Sequence, residues 1–275
     1  MDTQIKSKLK DHLDFPDEVE NIIKGNKYNE LMCYTNFSLC RMTNDNYSIF
    51  LSLIGNENKS AIKYVIDNMC CITTIEHDDY QWSLIHYLSQ YQGDIKLINY
   101  FFEKYCFDLE ANTSDGCKPI HIACDSGTLE MIMLLVKNRA NIEAETISKQ
   151  KPIHYICQRG SHDNTLILAI IKFLVGSGVN LESKDNLGCT PLHYACKYQS
   201  IEIIDFLINS GVDLEARDNS GWKPIHFVCC NRSIKTIQYM IRQNIIFDAL
   251  MIDFIMKNWK LSIENKEEIL HSINV

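Results

Sequence analysis

One short sequence pattern recurs along this chain and limits its possible folds more than any other feature. Four tetrapeptides carry the pattern, and an upstream relative has lost the proline. They are Lys118-Pro-Ile-His121, Lys151-Pro-Ile-His154, Thr190-Pro-Leu-His193, Lys223-Pro-Ile-His226 and the relative Ser83-Leu-Ile-His86. Their histidines lie 35, 33, 39 and 33 residues apart. A period near 33 residues indicates one supersecondary unit that is copied along the chain.

Each copy has the same internal pattern, which residues 185–217 show most clearly. Thr190 suits the cap of a short helix over residues 193–198, and Pro191 stands where a helix can begin. Residues 201–209 place apolar side chains three and four apart, which predicts a second helix. Gly211 then provides a left-handed stop, and an extended stretch leads to the turn that opens the next copy. The pattern predicts helix, loop, helix and hairpin in each copy.

The segments Asn186-Leu-Gly-Cys-Thr-Pro-Leu-His-Tyr-Ala-Cys196 and Gly211-Val-Asp-Leu-Glu-Ala216 together resemble an ankyrin repeat. The resemblance implies an all-α repeat solenoid in which helix-loop-helix-hairpin units stack into one curved array with helical caps. Two departures occur in the third good unit: Lys149 stands where the turn glycine belongs, and about six extra residues lie around residues 161–168. We expect these extra residues to lengthen a helix or the loop between helices.

The repeat pattern predicts how the chain is divided. We expect five ankyrin repeats in residues 76–250, preceded by a degenerate repeat and followed by a helical cap, in one continuous solenoid. The predicted segments are 1–42 (a helical cap or worn repeat), 43–75 (a degenerate repeat), 76–112, 113–145, 146–184, 185–217 and 218–250 (the five repeats), and 251–275 (the C-terminal cap).

Composition excludes several classes of function. Apolar residues make up 46% of the chain and charged residues 23%, which is typical of a globular protein. The net charge of −8 argues against a nucleic-acid partner. The longest strongly apolar stretch, residues 166–175, is ten residues long, whereas a spanning helix needs about 20. We therefore expect a cytoplasmic protein without a membrane partner, whose 12 cysteines remain thiols.

The recurring His-x-x-Cys spacing is the one arrangement that could bind metal. The pairs place both side chains on one helical face, but pairs on successive repeats would lie too far apart to share a tetrahedral zinc. The resemblance implies instead that the histidine bonds between neighbouring turns and that the cysteine replaces a small core alanine. Hydrolase, zinc-protease and Walker motifs are absent from the sequence. We expect no metal, no cofactor and no enzyme activity.

The resemblance also implies which side chains contact a partner, because the family binds through hairpin tips and the exposed side of the first helix. Trp82 and Trp222 occupy the same register position, and aromatic residues dominate binding hot spots. The alternative for both tryptophans is that they cover hairpins or pack against irregular neighbouring units. The predicted partner-binding residues are Tyr80, Trp82, Tyr91, Asp115, Asp125, Gln158, Arg159, Asn186, Leu187, Lys197, Tyr198, Asn219, Trp222 and Asn231.

Two functions remain open at this point. In the first, the chain is a monomeric, non-catalytic scaffold, adaptor or inhibitor that binds a protein partner through the concave ankyrin groove. In the second, it recruits substrates to a ubiquitin ligase through its N-terminal segment. The second rests on residues 14–23, Asp14-Phe-Pro-Asp-Glu-Val-Glu-Asn-Ile-Ile23, which resemble the opening of an F-box.

Overall fold

The computed structural model describes residues 81–92, 95–160, 163–231, 234–242, 249–257 and 262–272, and within them every regular element is an α-helix. Five of these helices open a repeat and are called first helices: α1 (Leu84–Gln90), α3 (Pro119–Ser126), α5 (Pro152–Gln158), α7 (Pro191–Tyr198) and α9 (Pro224–Asn231). The second helices follow them: α2 (Ile95–Lys104), α4 (Leu129–Lys137), α6 (Asn164–Gly176), α8 (Ile201–Asn209) and α10 (Ile234–Arg242). The last pair is α11 (Ala249–Lys257) and α12 (Ile263–Ser272).

The first helices begin where the sequence places proline. Pro119, Pro152 and Pro191 occupy the first turn of their helices. Proline is favoured there because the missing N–H has no intrahelical acceptor and the fixed φ suits a helix. Thr190 is the N-cap of α7, as predicted, but the helix starts two residues before the predicted His193. The predicted helix therefore lacked the first two residues of α7, Pro191 and Leu192.

The second helices are oriented by apolar side chains that recur every three or four residues and so lie on one buried face. In α8, which spans the predicted residues 201–209, Ile203, Ile204 and Leu207 are fully buried. Gly211 follows with φ +85°, the left-handed conformation that ends a helix. The extra residues of the third repeat lengthen α6, which has 13 residues where α4 and α8 have 9. They also lengthen the segment between α5 and α6, which has five residues where the segment between α7 and α8 has two.

Tight turns connect the repeats. In the turn of residues 185–189, the N–H of Asp185 donates to the carbonyl of Cys189 at 3.1 Å, and the N–H of Gly188 donates to the carbonyl of Asp185 at 2.9 Å. The fourth residue of each turn has positive φ, a conformation that favours glycine. We call these four segments the hairpin turns: 113–117, 146–150, 185–189 and 218–222, whose fourth residues are Gly116, Lys149, Gly188 and Gly221.

The chain divides into two compact units, residues 1–140 and 141–275. In the first unit, α1 packs against α3, α3 against α4, and α2 against α4. In the second, the first helices pack side by side from α5 through α7 to α9 and then α11, and α6 packs against α8. Each first helix of that unit also packs against its own second helix. The helices of the second unit therefore form two layers, with an apolar core between them.

Some predictions of chain division are not tested by this architecture. The segments 1–42 and 43–75 lie outside the described residues. The continuity of one solenoid past residue 140 and the repeat boundaries stay predictions. The C-terminal segment holds the helix pair α11 and α12, which pack against each other and against α9 and α10.

Candidate partner-binding surface

Three of the repeat histidines, His86, His154 and His193, use both ring nitrogens in hydrogen bonds, and two of them reach the next repeat. Nδ1 of His193 accepts a hydrogen bond from the N–H of Thr190 at 3.0 Å, so the ring proton resides on Nε2. Nε2 then donates to the carbonyl of Trp222 in the next repeat at 3.1 Å. In His154, Nδ1 accepts from the N–H of Lys151, and Nε2 donates to the carbonyl of Ser183 at the end of the same repeat. In His86, Nδ1 accepts from the N–H of Ser83, and Nε2 lies within 3.2 Å of the carbonyls of Ala111 and of Cys117, the latter in the next repeat. These imidazoles have no lone pair left for a metal.

Burial shifts the pKa values of side chains in the His-x-x-Cys pairs. Desolvation lowers the pKa of His154 and His193, although Asp185 and backbone hydrogen bonds oppose this effect. Desolvation also raises the pKa of the fully buried Cys157 far above its ordinary value, which makes it a poor nucleophile. Among the described residues, no group of three or more His, Cys, Asp or Glu side chains could hold a metal ion. Both side chains are fully buried in the pairs at positions 121/124, 154/157 and 193/196.

A buried polar cluster fixes one hairpin turn of the second unit to α7. The Tyr194 hydroxyl donates to Oδ2 of Asp185, and Nε2 of Gln150 lies 3.1 Å from that hydroxyl and 3.3 Å from Oδ2. Oδ1 of Asp185 accepts the N–H groups of Leu187 and Cys189, both at 2.9 Å. Burial and the neighbouring carboxylate raise the pKa of Tyr194, so its hydroxyl remains the donor. The cluster holds the two hairpin turns at residues 146–150 and 185–189 in a fixed register.

Three lysines beside the hairpin turns are held by glutamates eight residues upstream. Lys151 contacts Glu143 at 2.8 Å, and the other oxygen of that carboxylate accepts the N–H of Asn180 in the next repeat at 2.7 Å. The pairs Lys118–Glu110 and Lys223–Glu215 repeat the contact. These carboxylates therefore join repeats and neutralise lysines, rather than acting as an acid and a base.

The side of the first-helix layer that faces away from the second helices forms, with the hairpin turns, the candidate surface. We call it the inner surface and describe it for the second unit, where it comprises residues 146–159, 185–198 and 218–231. Along α7 the exposed residues are Lys197 and Tyr198, at the helix end, and the lysine lies 4.9 Å from the tyrosine ring centre. On the hairpin turns, Ile147 and Leu187 are the most exposed apolar side chains, at 72% and 64%.

The predicted partner-binding residues fall into three groups. The exposed ones are Asp115, Asp125, Asn186, Leu187, Lys197, Tyr198 and Asn219. The half-buried ones are Trp82, Tyr91, Gln158, Arg159 and Trp222. Tyr80 and the side chain of Asn231 lie outside the described part of the chain. The role of all the predicted partner-binding residues in binding stays a prediction.

Two of the predicted contact residues have a structural role as well. The N–H of Asn186 donates to the carbonyl of Ser148 at 2.9 Å, and its side-chain amide donates to the carbonyl of Ile147 at 3.0 Å. Asn219 bonds in the same way to Leu187 and Asn186, at 2.9 Å in both cases. Asn186 and Asn219 therefore each tie their hairpin turn to the preceding one.

The two tryptophans share a packing arrangement as well as a register position. Trp222 stacks on His226 at 5.7 Å between ring centres and meets Phe227 edge-on at 6.0 Å. Trp82 packs on His86 and Tyr87 of its own repeat at 5.9 and 4.9 Å. Each ring covers its own repeat and remains half exposed.

Ile147 is an exposed residue of the inner surface that was not predicted from the sequence. This residue is 72% exposed on the hairpin turn at 146–150, beside Asn186 of the next turn. A signal was present in the sequence, because turn positions are usually polar and here an isoleucine stands among Thr, Ser and Lys. Ile147 belongs to the inner surface beside Leu187.

Comparison with known families identifies the repeats. The family described as ankyrin repeats (3 copies) matches residues 85–170 and 167–250. The chain belongs to the ankyrin-repeat family. Ankyrin repeats are in general protein–protein interaction modules, and the family is typically non-catalytic. A search of curated proteins found no match to this ankyrin-repeat chain. None of the described helices is long and apolar enough to cross a membrane.

Proposed function

We propose that this ankyrin-repeat protein is a non-catalytic scaffold, adaptor or inhibitor that binds a protein partner through its inner surface in the cytoplasm. The observation that carries the proposal is the exposure of apolar and aromatic side chains on a rigid framework. Ile147, Leu187 and Tyr198 are 72%, 64% and 47% exposed, while the residues that hold them in place are buried. Exposed apolar side chains grouped on one surface are typical of interaction sites.

The framework supports binding because it is already ordered. A histidine bond joins His193 to the following repeat, and the side-chain amides of Asn186 and Asn219 join successive hairpin turns. A surface held in this way loses little conformational entropy when a partner associates, so more of the contact energy remains as affinity. Tyr198 and Trp222 provide the aromatic contacts that most often dominate such interfaces.

The test is affinity capture from cytosolic extract with three versions of the full chain. The first is native, the second is the double variant Tyr198→Ala/Trp222→Ala, and the third is a matched control, Met133→Ala/Ile263→Ala, which removes exposed apolar side chains outside the inner surface. Circular dichroism verifies that each version is folded. We expect a protein that the native and control chains retain and the inner-surface variant loses. Equal recovery by all three versions would contradict binding through this surface.

The alternative function, substrate recruitment to a ubiquitin ligase, depends on residues 14–23, which lie outside the described residues. Deletion of residues 1–42 separates it from the main proposal. A recruiting segment predicts that the truncated chain stays soluble and keeps its inner-surface partner but loses ligase subunits. A capping role predicts instead that the truncated chain loses solubility, because terminal repeats shield the stack from water.

A further inference from the structure

The inner surface of the second unit differs in charge from the protein as a whole. The chain has a net charge of −8. Within residues 146–159, 185–198 and 218–231, however, Asp185 and Asp218 are the acidic residues. Asp185 is 7% exposed and bonded to Tyr194 and Gln150, and Oδ1 of Asp218 accepts the N–H groups of Ser220 and Trp222. The Asp185 carboxylate is therefore buried, and one oxygen of the half-buried Asp218 is taken up by N–H groups of its own turn.

Two cations on the same surface, in contrast, are exposed. Lys149 and Lys197 form no ion pair with any described residue, whereas the neighbouring Lys151 and Lys223 are neutralised by glutamates. Lys149 stands at the tip of its hairpin turn with φ +58°, at the position that glycine fills in the next two turns. A non-glycine residue in this left-handed conformation is strained, because its Cβ approaches the backbone carbonyl oxygen. The chain thus carries a lysine at the tip despite that strain.

Apolar side chains are exposed on the same surface as these cations. Ile147 and Leu187 are exposed on adjacent hairpin turns, which Asn186 joins by its 3.0 Å bond to the carbonyl of Ile147. Tyr198 is exposed beside Lys197 at the end of α7. A surface with both features favours a polypeptide over a nucleic acid, since apolar side chains on turn tips add nothing to phosphate binding.

We propose that the inner surface of the second unit recognises an acidic polypeptide segment that carries apolar side chains. The carboxylates of the segment would meet Lys149 and Lys197, and its apolar side chains would cover Ile147 and Leu187. This inference rests on the proposed function and specifies its partner. Charge complementarity of this kind sets specificity and the association rate more than total affinity.

The test begins with a phage-displayed library of random 12-residue peptides selected on the folded full-length chain. We expect enrichment of Asp and Glu together with Leu, Ile and aromatic residues. A selected peptide is then measured by fluorescence polarisation at low salt against three proteins: native, Lys149→Glu/Lys197→Glu, and the matched control Lys172→Glu/Lys235→Glu on the second helices. Two charge reversals at the surface predict a loss of at least about tenfold in affinity for the first variant, and little change for the control.

Salt and a second variant distinguish the parts of the inference. At about 0.5 M salt the difference between native protein and Lys149→Glu/Lys197→Glu shrinks, because exposed charges are screened. The variant Leu187→Ser/Tyr198→Ala weakens binding at every salt concentration. A new selection on Lys149→Glu/Lys197→Glu yields peptides with fewer acidic residues.

The outcomes also separate this inference from the proposed function. Neutral or basic peptides that Leu187→Ser/Tyr198→Ala no longer binds would overturn the acidic partner and leave inner-surface binding intact. Peptides insensitive to both inner-surface variants, or no enrichment at all, would overturn both proposals. A single-stranded 20-nucleotide DNA probe that binds the native chain, loses affinity on Lys149→Glu/Lys197→Glu and outcompetes every acidic peptide would assign the cations to nucleic acid instead.

Discussion

The buried cluster of Gln150, Asp185 and Tyr194 makes a quantitative prediction about stability. Tyr194→Phe removes the hydroxyl that donates to Oδ2 of Asp185 and leaves that oxygen with the 3.3 Å contact to Gln150 alone. A hydrogen bond to a charged acceptor contributes about 1.5–3 kcal/mol, and an unsatisfied buried group costs a similar amount. The side chain otherwise keeps its ring and its edge contact with His154. We therefore expect the free energy of unfolding to fall by about 2 kcal/mol.

Urea denaturation of the full chain, followed by circular dichroism, measures this loss as a lower midpoint with an unchanged slope. Tyr198→Phe is the matched control, because it removes a tyrosine hydroxyl from a residue that is 47% exposed on the same helix. A double-mutant cycle with Asp185→Asn isolates the pair, and a coupling of about 1–2 kcal/mol is expected. A loss below about 0.5 kcal/mol for Tyr194→Phe, or no difference from Tyr198→Phe, would refute the structural role of the cluster.

Two further predictions concern the framework. Burial lowers the pKa of His154 and His193 in the folded protein, whereas histidines of the unfolded chain have a pKa near 6.5. Below about pH 6.5 the unfolded chain therefore binds more protons than the folded one. The free energy of unfolding should be full above about pH 6.5 and decrease as the pH falls toward the lowered pKa values. Urea midpoints that stay constant from pH 7 to pH 5 would contradict this. Gly188→Ala should destabilise the chain more than Gly178→Ala, although both glycines have positive φ. A Cβ added at Gly188 would lie 2.7 Å from the backbone nitrogen of Asn219, whereas a Cβ added at Gly178 would meet nothing within 4 Å. Equal thermal midpoints for the two variants would contradict the close approach of the hairpin turns.

The sequence predicted the features that depend on local spacing. The repeat period, the Thr190 cap of α7, the helix over residues 201–209 and the left-handed Gly211 follow from residue preferences within one repeat. The extra residues of the third repeat were expected in a helix or in the loop between helices, and α6 is one of the places where they lie. Such features are predictable because they require no knowledge of neighbouring repeats.

The polar side-chain contacts between hairpin turns of different repeats could not be predicted from the sequence. Gln150 and Tyr194 are 44 positions apart, and their contact depends on the stacking distance and on the direction of each side chain. The exposed tip residue Asn186 was predicted as a partner contact, and its bonds to the preceding turn became visible when the turns were placed side by side. Ile147 was overlooked because its exposure depends on the turn geometry around Lys149.

The most direct test of the central claim is a hydrogen–deuterium exchange measurement on the full chain with and without its captured protein partner. Binding through the inner surface predicts slower exchange in residues 185–198 and 218–223, with little change in the second helices α6 and α8. Protection confined to α6 and α8, or to residues 1–42, would contradict recognition by the hairpin turns and first helices.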